Sequence, residues 1–190
     1  MKGLVVVVGL PGSGKTRFCR RHPEWAVVSK EAIRHDVFRT TYAPEHEGTV
    51  DRIFAATLVE VIDSDADVVC VQDLHLTRDA RREMIELARL SGRRPVAYVM
   101  PSVPLEALYE QSRRNAEQVV ASRPDVRVMP LPRDRFDELV RAYEPIDPRE
   151  GFARVETVEA TWDAASLVER PKRTRRKRIE RRDPLPLFVP

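Results

Sequence analysis

The sequence predicts an α/β fold: a parallel five-stranded sheet with helices on both faces, followed by a basic C-terminal tail. Three observations predict it. Short apolar runs alternate with amphipathic stretches along most of the chain, the pattern of strand–helix–strand units. The first run, Leu4-Val5-Val6-Val7-Val8, contains no polar residue, as in a strand buried on both faces. It leads directly into Gly9-Leu10-Pro11-Gly12-Ser13-Gly14-Lys15-Thr16, which fills every position of G-x-x-x-x-G-K-[ST] ahead of a segment able to open a helix.

That turn has a defined chemistry. Its glycines permit backbone torsions and close approaches that a Cβ blocks. Gly9, Pro11, Gly12, Ser13 and Gly14 form a loop whose N–H groups converge on phosphate oxygens at a helix N-terminus. Lys15 is placed to reach the β- and γ-phosphates, and the Thr16 hydroxyl to ligate Mg²⁺. The motif reads as a nucleotide site. By itself it does not separate a kinase from an ATPase, a GTPase or a switch.

The remaining elements follow in order. Thr16 to Arg21 reads as helix, and Trp25-Ala26-Val27-Val28-Ser29 as the second strand. Glu31 to Phe38 is helical, and Tyr42 to Gly48, with Pro44 and Gly48, reads as loop. Thr49 to Asp63 is a helix with Val50, Ile53, Phe54, Leu58 and Val61 on one face. Asp67 to Asp73 is a third buried strand ending in an acid. Thr77 to Ser91 is a helix with Thr77 as N-cap and Gly92 as its stop. Pro95 to Met100 is the fourth strand, and Leu105 to about Val120 a polar helix. Prolines at 124, 130 and 132 break the chain before a helix from Asp134 to Ala142, and Ala153 to Val158 is the fifth strand.

Composition narrows the setting. The 190 residues, 42% hydrophobic and 33% charged, suit one domain over about 1–160 with a tail over 161–190. No apolar run approaches a membrane span, and the direct entry into a strand leaves no expected signal peptide. The two cysteines, Cys19 and Cys70, read as buried free thiols, which fits a reducing cytoplasm. His22, His35, His46 and His75 lack metal-ligand spacing. The net charge of +3 hides an asymmetry. Residues 170–190 hold nine basic and two acidic residues, while the body is mildly acidic.

In a parallel sheet the ligand sits at the carboxyl ends of the strands. The glycine loop lies at one such end, Ser29-Lys30-Glu31 at another and Asp73 at a third, so one cleft should gather them. Glu31 is placed to accept a hydroxyl proton, or to complement a helix dipole as a first-turn acid. Arg34, one turn on, shares its face and pairs with Glu31 or binds a substrate phosphate. Asp73 supports Mg²⁺ or orients a lid arginine, or caps its strand. Arg113 and Arg114, mid-helix, are either arginine fingers folding over a γ-phosphate or part of a solvated basic face.

Five stretches carry a resemblance: G-L-P-G-S-G-K-T, V-S-K-E-A-I-R, V-Q-D-L-H-L-T-R-D-A-R, P-L-E-A-L-Y-E-Q-S-R-R-N and Y-E-P-I-D-P-R-E-G-F-A-R-V. Together, from about Leu4 to Val158, they resemble the polynucleotide 5′-hydroxyl kinases of phage and nucleic-acid end-repair enzymes, within the wider P-loop kinases. The resemblance implies the five-stranded P-loop kinase sheet, ATP as donor with Mg²⁺, and transfer of the γ-phosphate to a 5′-OH end of RNA or DNA. It implies Glu31 as general base, Arg34 as ligand of a substrate phosphate, Asp73 as the strand-3 acid and Arg114 as lid arginine, with Arg113 adjacent. This chain departs from the family in four places: Glu31 stands where an Asp is usual, Ala32 replaces a frequent second acid, His75 stands where an Asn is usual, and the lid spacing around Gln111-Ser112-Arg113-Arg114-Asn115 is irregular.

The basic run over 170–182 is expected to contact nucleic acid through phosphate neutralisation, without base stacking, since it holds no aromatic residue. A disordered solubilising tail is the other reading. Nothing resembles a 3′-phosphatase domain, so end healing would require a separate phosphatase or ligase partner. Two further functions stay open: a P-loop kinase of a small-molecule hydroxyl, and a non-catalytic ATP-binding nucleic-acid adaptor.

Overall fold

Strand β1 (Gly3–Val8) lies at the centre of a five-stranded sheet in the computed structural model, which describes residues 2–42 and 44–159. The other strands are β2 (Ala26–Ser29), β3 (Val68–Gln72), β4 (Arg94–Val99) and β5 (Arg154–Thr157). Their order is β2-β3-β1-β4-β5, and every pair is parallel. Pairing of Val7 with Gln72 on one side and Tyr98 on the other sets the register of the central strand. The expected fold class is observed: five parallel strands with helices on both faces. The expected tail over 161–190 lies outside the described residues.

The period-two alternation of β1 feeds two cores. Leu4, Val6 and Val8 pack with Phe54, Leu58 and Ile62 of helix α3 (Glu47–Asp63) and Ala88 of helix α4 (Arg78–Leu90). Val5 and Val7 face the other way, onto Phe18 and Cys19 of helix α1 (Lys15–Cys19), Cys70 and Met100. Covering both faces explains why β1 tolerates no polar residue. Cys19 and Cys70 are both buried and free, with their sulfurs 3.7 Å apart.

One expectation is corrected. The segment 42–48 is not all loop: a 3₁₀ turn spans Pro44–His46, and α3 begins at Glu47 rather than Thr49. Gly48 costs about 1 kcal/mol in a helix, but Glu47 in the first turn complements the helix dipole and offsets part of it. Along α3 the buried positions are Val50, Phe54, Leu58 and Ile62, while Val61 packs at the core's edge.

A second link ties the end of the domain to its middle. Arg81 of α4 is fully buried. It donates from Nε and Nη2 to the two carboxylate oxygens of Glu150 at 2.7 Å each, and from Nη1 to the carbonyls of His75 and Leu76. Glu150 also accepts from the Asp147 N–H in a capping box, so the closing segment Tyr143–Gly151 is held against the turn between β3 and α4.

Beyond α2 (Lys30–Val37), α5 (Leu105–Ser122) runs back across the glycine loop, and α6 (Arg133–Arg141) follows. Gly12 has φ +81, and a Cβ there would collide with the Leu108 carbonyl of α5. Gly12→Ala therefore meets both left-handed strain and a backbone obstacle. We expect it to lower the unfolding free energy by about 2 kcal/mol or more, read by urea denaturation, because the left-handed conformation alone costs about 1–2 kcal/mol.

Candidate active site

The strand order places a switch point between β1 and β3: the chain leaves β1 toward β2 and leaves β3 toward β4. Ligands of open parallel sheets bind in such a crevice, outside the carboxyl ends. The side chains gathered there come from three strand ends.

The glycine loop supplies the first group. Gly14, at φ +92, turns the chain into α1. Lys15 bends back so that Nζ donates to the carbonyls of Gly9 and Leu10, each at 2.9 Å. Ser13 Oγ, inside the loop, is buried with no hydrogen-bond partner among the described residues. A buried hydroxyl left orphaned calls for an explanation, and a phosphate oxygen supplies one. Burial lowers the Lys15 ammonium to about 8, against the pull of Asp73 and Glu31.

That value fixes a pH dependence. Below pH 8 Lys15 is already charged in the free protein, so binding a polyphosphate takes up no proton. Above pH 8 the free protein must first regain the proton, and the affinity for ATP is expected to fall by up to about tenfold per pH unit. Nucleotide titrations from pH 7 to 9.5 read this directly, and Lys15→Met is expected to flatten the profile.

The second group joins all three strand ends. Thr16 Oγ1 donates to Glu31 Oε2 at 2.9 Å. Gln72, the last residue of β3, donates from Nε2 to Thr16 Oγ1 at 2.9 Å and lies 3.4 Å from Glu31 Oε2. Both partners present oxygen, which orients the amide nitrogen toward them. Glu31 is positioned by the N-cap of α2, where Ser29 Oγ accepts from the Ala32 N–H. A carboxylate held against the loop's own hydroxyl is placed to take a proton from an acceptor entering the cleft.

The third group is an ion-pair chain. Lys30 Nζ lies 2.9 Å from both Asp73 Oδ2 and Asp51 Oδ1. Burial would raise the Asp73 carboxyl, but the His75 ring and the Lys30 ammonium together hold it below its ordinary value. His75 itself is buried at φ +47, with Nδ1 3.1 Å from the Val7 carbonyl. A carbonyl only accepts, so Nδ1 carries the proton. Histidine, like asparagine, tolerates the left-handed region better than most residues.

Two arginines take partners outside this cluster. Arg34 does not pair with Glu31. It makes a two-pronged bond to Glu47, Nε to Oε1 at 2.8 Å and Nη2 to Oε2 at 2.6 Å, because the earlier start of α3 brings Glu47 beside α2. Arg113 is half-exposed and pairs with Glu110 one turn back on α5, not with the loop. Arg114 follows it on the same exposed stretch of α5. Gln72, Asp51 and Glu47 were not singled out by sequence, and Lys30 was placed in the cleft without a role. The available signal for Gln72 was a polar residue closing an otherwise apolar strand.

The comparisons with known proteins agree with this geometry. The AAA domain family model matches residues 4–146. The chain belongs to that family. No curated protein matches it in sequence. Among solved structures, Kti12 of Chaetomium thermophilum in complex with ADP-AlF3 is 20% identical, with a TM-score of 0.57, over 85% of this chain and 92% of that one. A fungal RNA kinase is 18% identical, with a TM-score of 0.54, over 87% of this chain and 78% of that one. A gluconokinase from Sinorhizobium meliloti is 20% identical, with a TM-score of 0.52, over 87% of each chain. At these identities the likeness establishes the fold, that of P-loop kinases. The family and the loop together identify a nucleotide-binding, kinase-like domain, and no described helix is long and apolar enough to cross a membrane.

Proposed function

We propose that this chain is an ATP-dependent polynucleotide kinase that transfers the γ-phosphate to a 5′-hydroxyl end. The observation that carries the reading is the Thr16–Glu31–Gln72 cluster, which holds a carboxylate beside the loop that cradles the donor phosphates. Lys15 leaves the Gly9 and Leu10 carbonyls for the phosphate oxygens and stabilises the charge on the transferring group. Glu31 takes the proton of the acceptor hydroxyl as its oxygen attacks the γ-phosphorus, and ADP leaves. Arg34 meets a phosphate of the acceptor strand. Arg114 or Arg113 approaches the γ-phosphate when α5 closes, and Asp73 orients the charges around it.

The oxygen donors here suit a hard cation. Thr16 Oγ1 would hold Mg²⁺, with Asp73 through water, and the ion would supply positive charge to the donor phosphates. The basic run over 170–182 adds salt-dependent contact with the nucleic acid. The five sequence stretches support the polynucleotide over other acceptors; the fold likeness, shared with an RNA kinase and a gluconokinase, does not separate them.

The Arg34–Glu47 pair favours a second reading, a kinase of a small neutral hydroxyl compound, since it leaves the acceptor side without a ready anion site. A competition assay separates the two. A 5′-OH oligonucleotide and a panel of sugars and other small alcohols are offered together with ATP. The proposal expects label on the oligonucleotide; label on a small alcohol alone replaces it with the second reading. ATP and oligonucleotide binding without transfer to anything marks a non-catalytic adaptor.

A further inference from the structure

We infer that Glu47 is a gate on the acceptor side of the cleft, which occupies the Arg34 guanidinium and sets how strongly a phosphate-bearing acceptor is preferred over a neutral one. The inference rests on the proposed acceptor site. Glu31 and Arg34 lie one helical turn apart on the same face of α2, so an acceptor whose hydroxyl meets Glu31 presents its neighbouring group to Arg34. On a nucleic acid end that group is the adjoining phosphodiester.

In this structure Arg34 is already taken. Glu47 uses both carboxylate oxygens on two guanidinium nitrogens, the geometry that a phosphate would adopt. The pair is largely shielded, with the two side chains 18% and 29% exposed. Asp73 and Glu31 add their fields at the same guanidinium. An incoming phosphate therefore replaces Glu47 rather than filling an open site. The released carboxylate has somewhere to go: Glu47 is the first residue of α3, where the helix dipole favours an anion and water is close. A neutral acceptor leaves the pair intact and gains nothing from Arg34.

Thymidine 3′-monophosphate and thymidine, each titrated calorimetrically into full-length protein saturated with ADP and Mg²⁺, test the gate. Glu47→Gln keeps the shape and removes the competing charge. It is expected to bind the 3′-monophosphate about tenfold more tightly than the wild type, since one charged hydrogen-bonded contact is no longer contested. Thymidine binds the two proteins alike, and adding Arg34→Gln to Glu47→Gln removes the gain. If Glu47→Gln does not fold, Glu47→Asp, which shortens the competing side chain, gives the same gain in smaller measure. Equal binding of the 3′-monophosphate by wild type and variant, binding by neither, or an equal gain for thymidine overturns the gate. If the gain appears but no protein phosphorylates a 5′-hydroxyl, the gate stands and the polynucleotide kinase reading falls.

Discussion

Glu31→Gln is expected to slow phosphoryl transfer by about 10²–10⁴-fold, the usual worth of a positioned general base. Its affinity for ATP is expected to change little. Glutamine has the length of glutamate and still presents a carbonyl oxygen to the Thr16 hydroxyl, so the bond that ties α2 to the glycine loop survives. What it loses is the capacity to take a proton from the acceptor. Single-turnover transfer and nucleotide titration, run side by side, separate these two effects. Lys15→Ala should lose transfer and nucleotide affinity together, since it removes the charge that meets the donor phosphates in the ground state and in the transition state. A Glu31→Gln protein that transfers at the wild-type rate would reduce Glu31 to a structural partner of Thr16.

Arg81→Met is expected to cost about 3–5 kcal/mol of folding stability, the largest such effect of any single substitution considered. The arginine is fully buried, and its removal leaves the buried Glu150 carboxylate with only the exposed Arg78, 3.8 Å away, against its charge, and the His75 carbonyl without its donor. Pairing Arg81→Met with Glu150→Gln should recover part of the loss, because the uncompensated charge is gone. The pair also predicts an acid sensitivity. The bonds from Arg81 hold the Glu150 carboxyl below its ordinary value of 4.5. The folded state therefore binds this proton less readily than the unfolded chain. The stabilisation is present above about pH 4.5 and is lost as pH falls through the folded value. Chemical denaturation of wild type and Arg81→Met at pH 7 and at pH 3.5 reads both: the gap between the two proteins should narrow in acid.

Which parts of this molecule were legible in the sequence follows from the range of the interactions. The glycine loop, its strand and its helix are contiguous, and each local preference agrees with the next, so Gly9 to Thr16 could be read directly. The strand pattern was legible because burial on both faces excludes polar residues. Convergence of Lys15, Thr16, Glu31 and Asp73 followed from the rule that parallel strands deliver their ligands at one end. The partner of Arg34 was not legible. Glu31 is three residues away and offers the obvious pair, whereas Glu47 is brought in by a helix start hidden behind Pro44 and Gly48. Arg81 and Glu150 lie 69 residues apart, and nothing local marks either as buried. Gln72 was hidden differently: a polar residue at the end of an apolar strand has no local mark of function, yet it donates to the Thr16 hydroxyl beside Glu31.

The most direct test of the account is the transfer of label from γ-labelled ATP, with Mg²⁺, to a 5′-OH oligonucleotide, beside the same strand already phosphorylated at its 5′ end. RNA and DNA versions are run in parallel. The account predicts label on the 5′-hydroxyl strand only, removable by a phosphatase and absent with Lys15→Ala. Binding of ATP and oligonucleotide by the wild type, with no label on either strand, would contradict it.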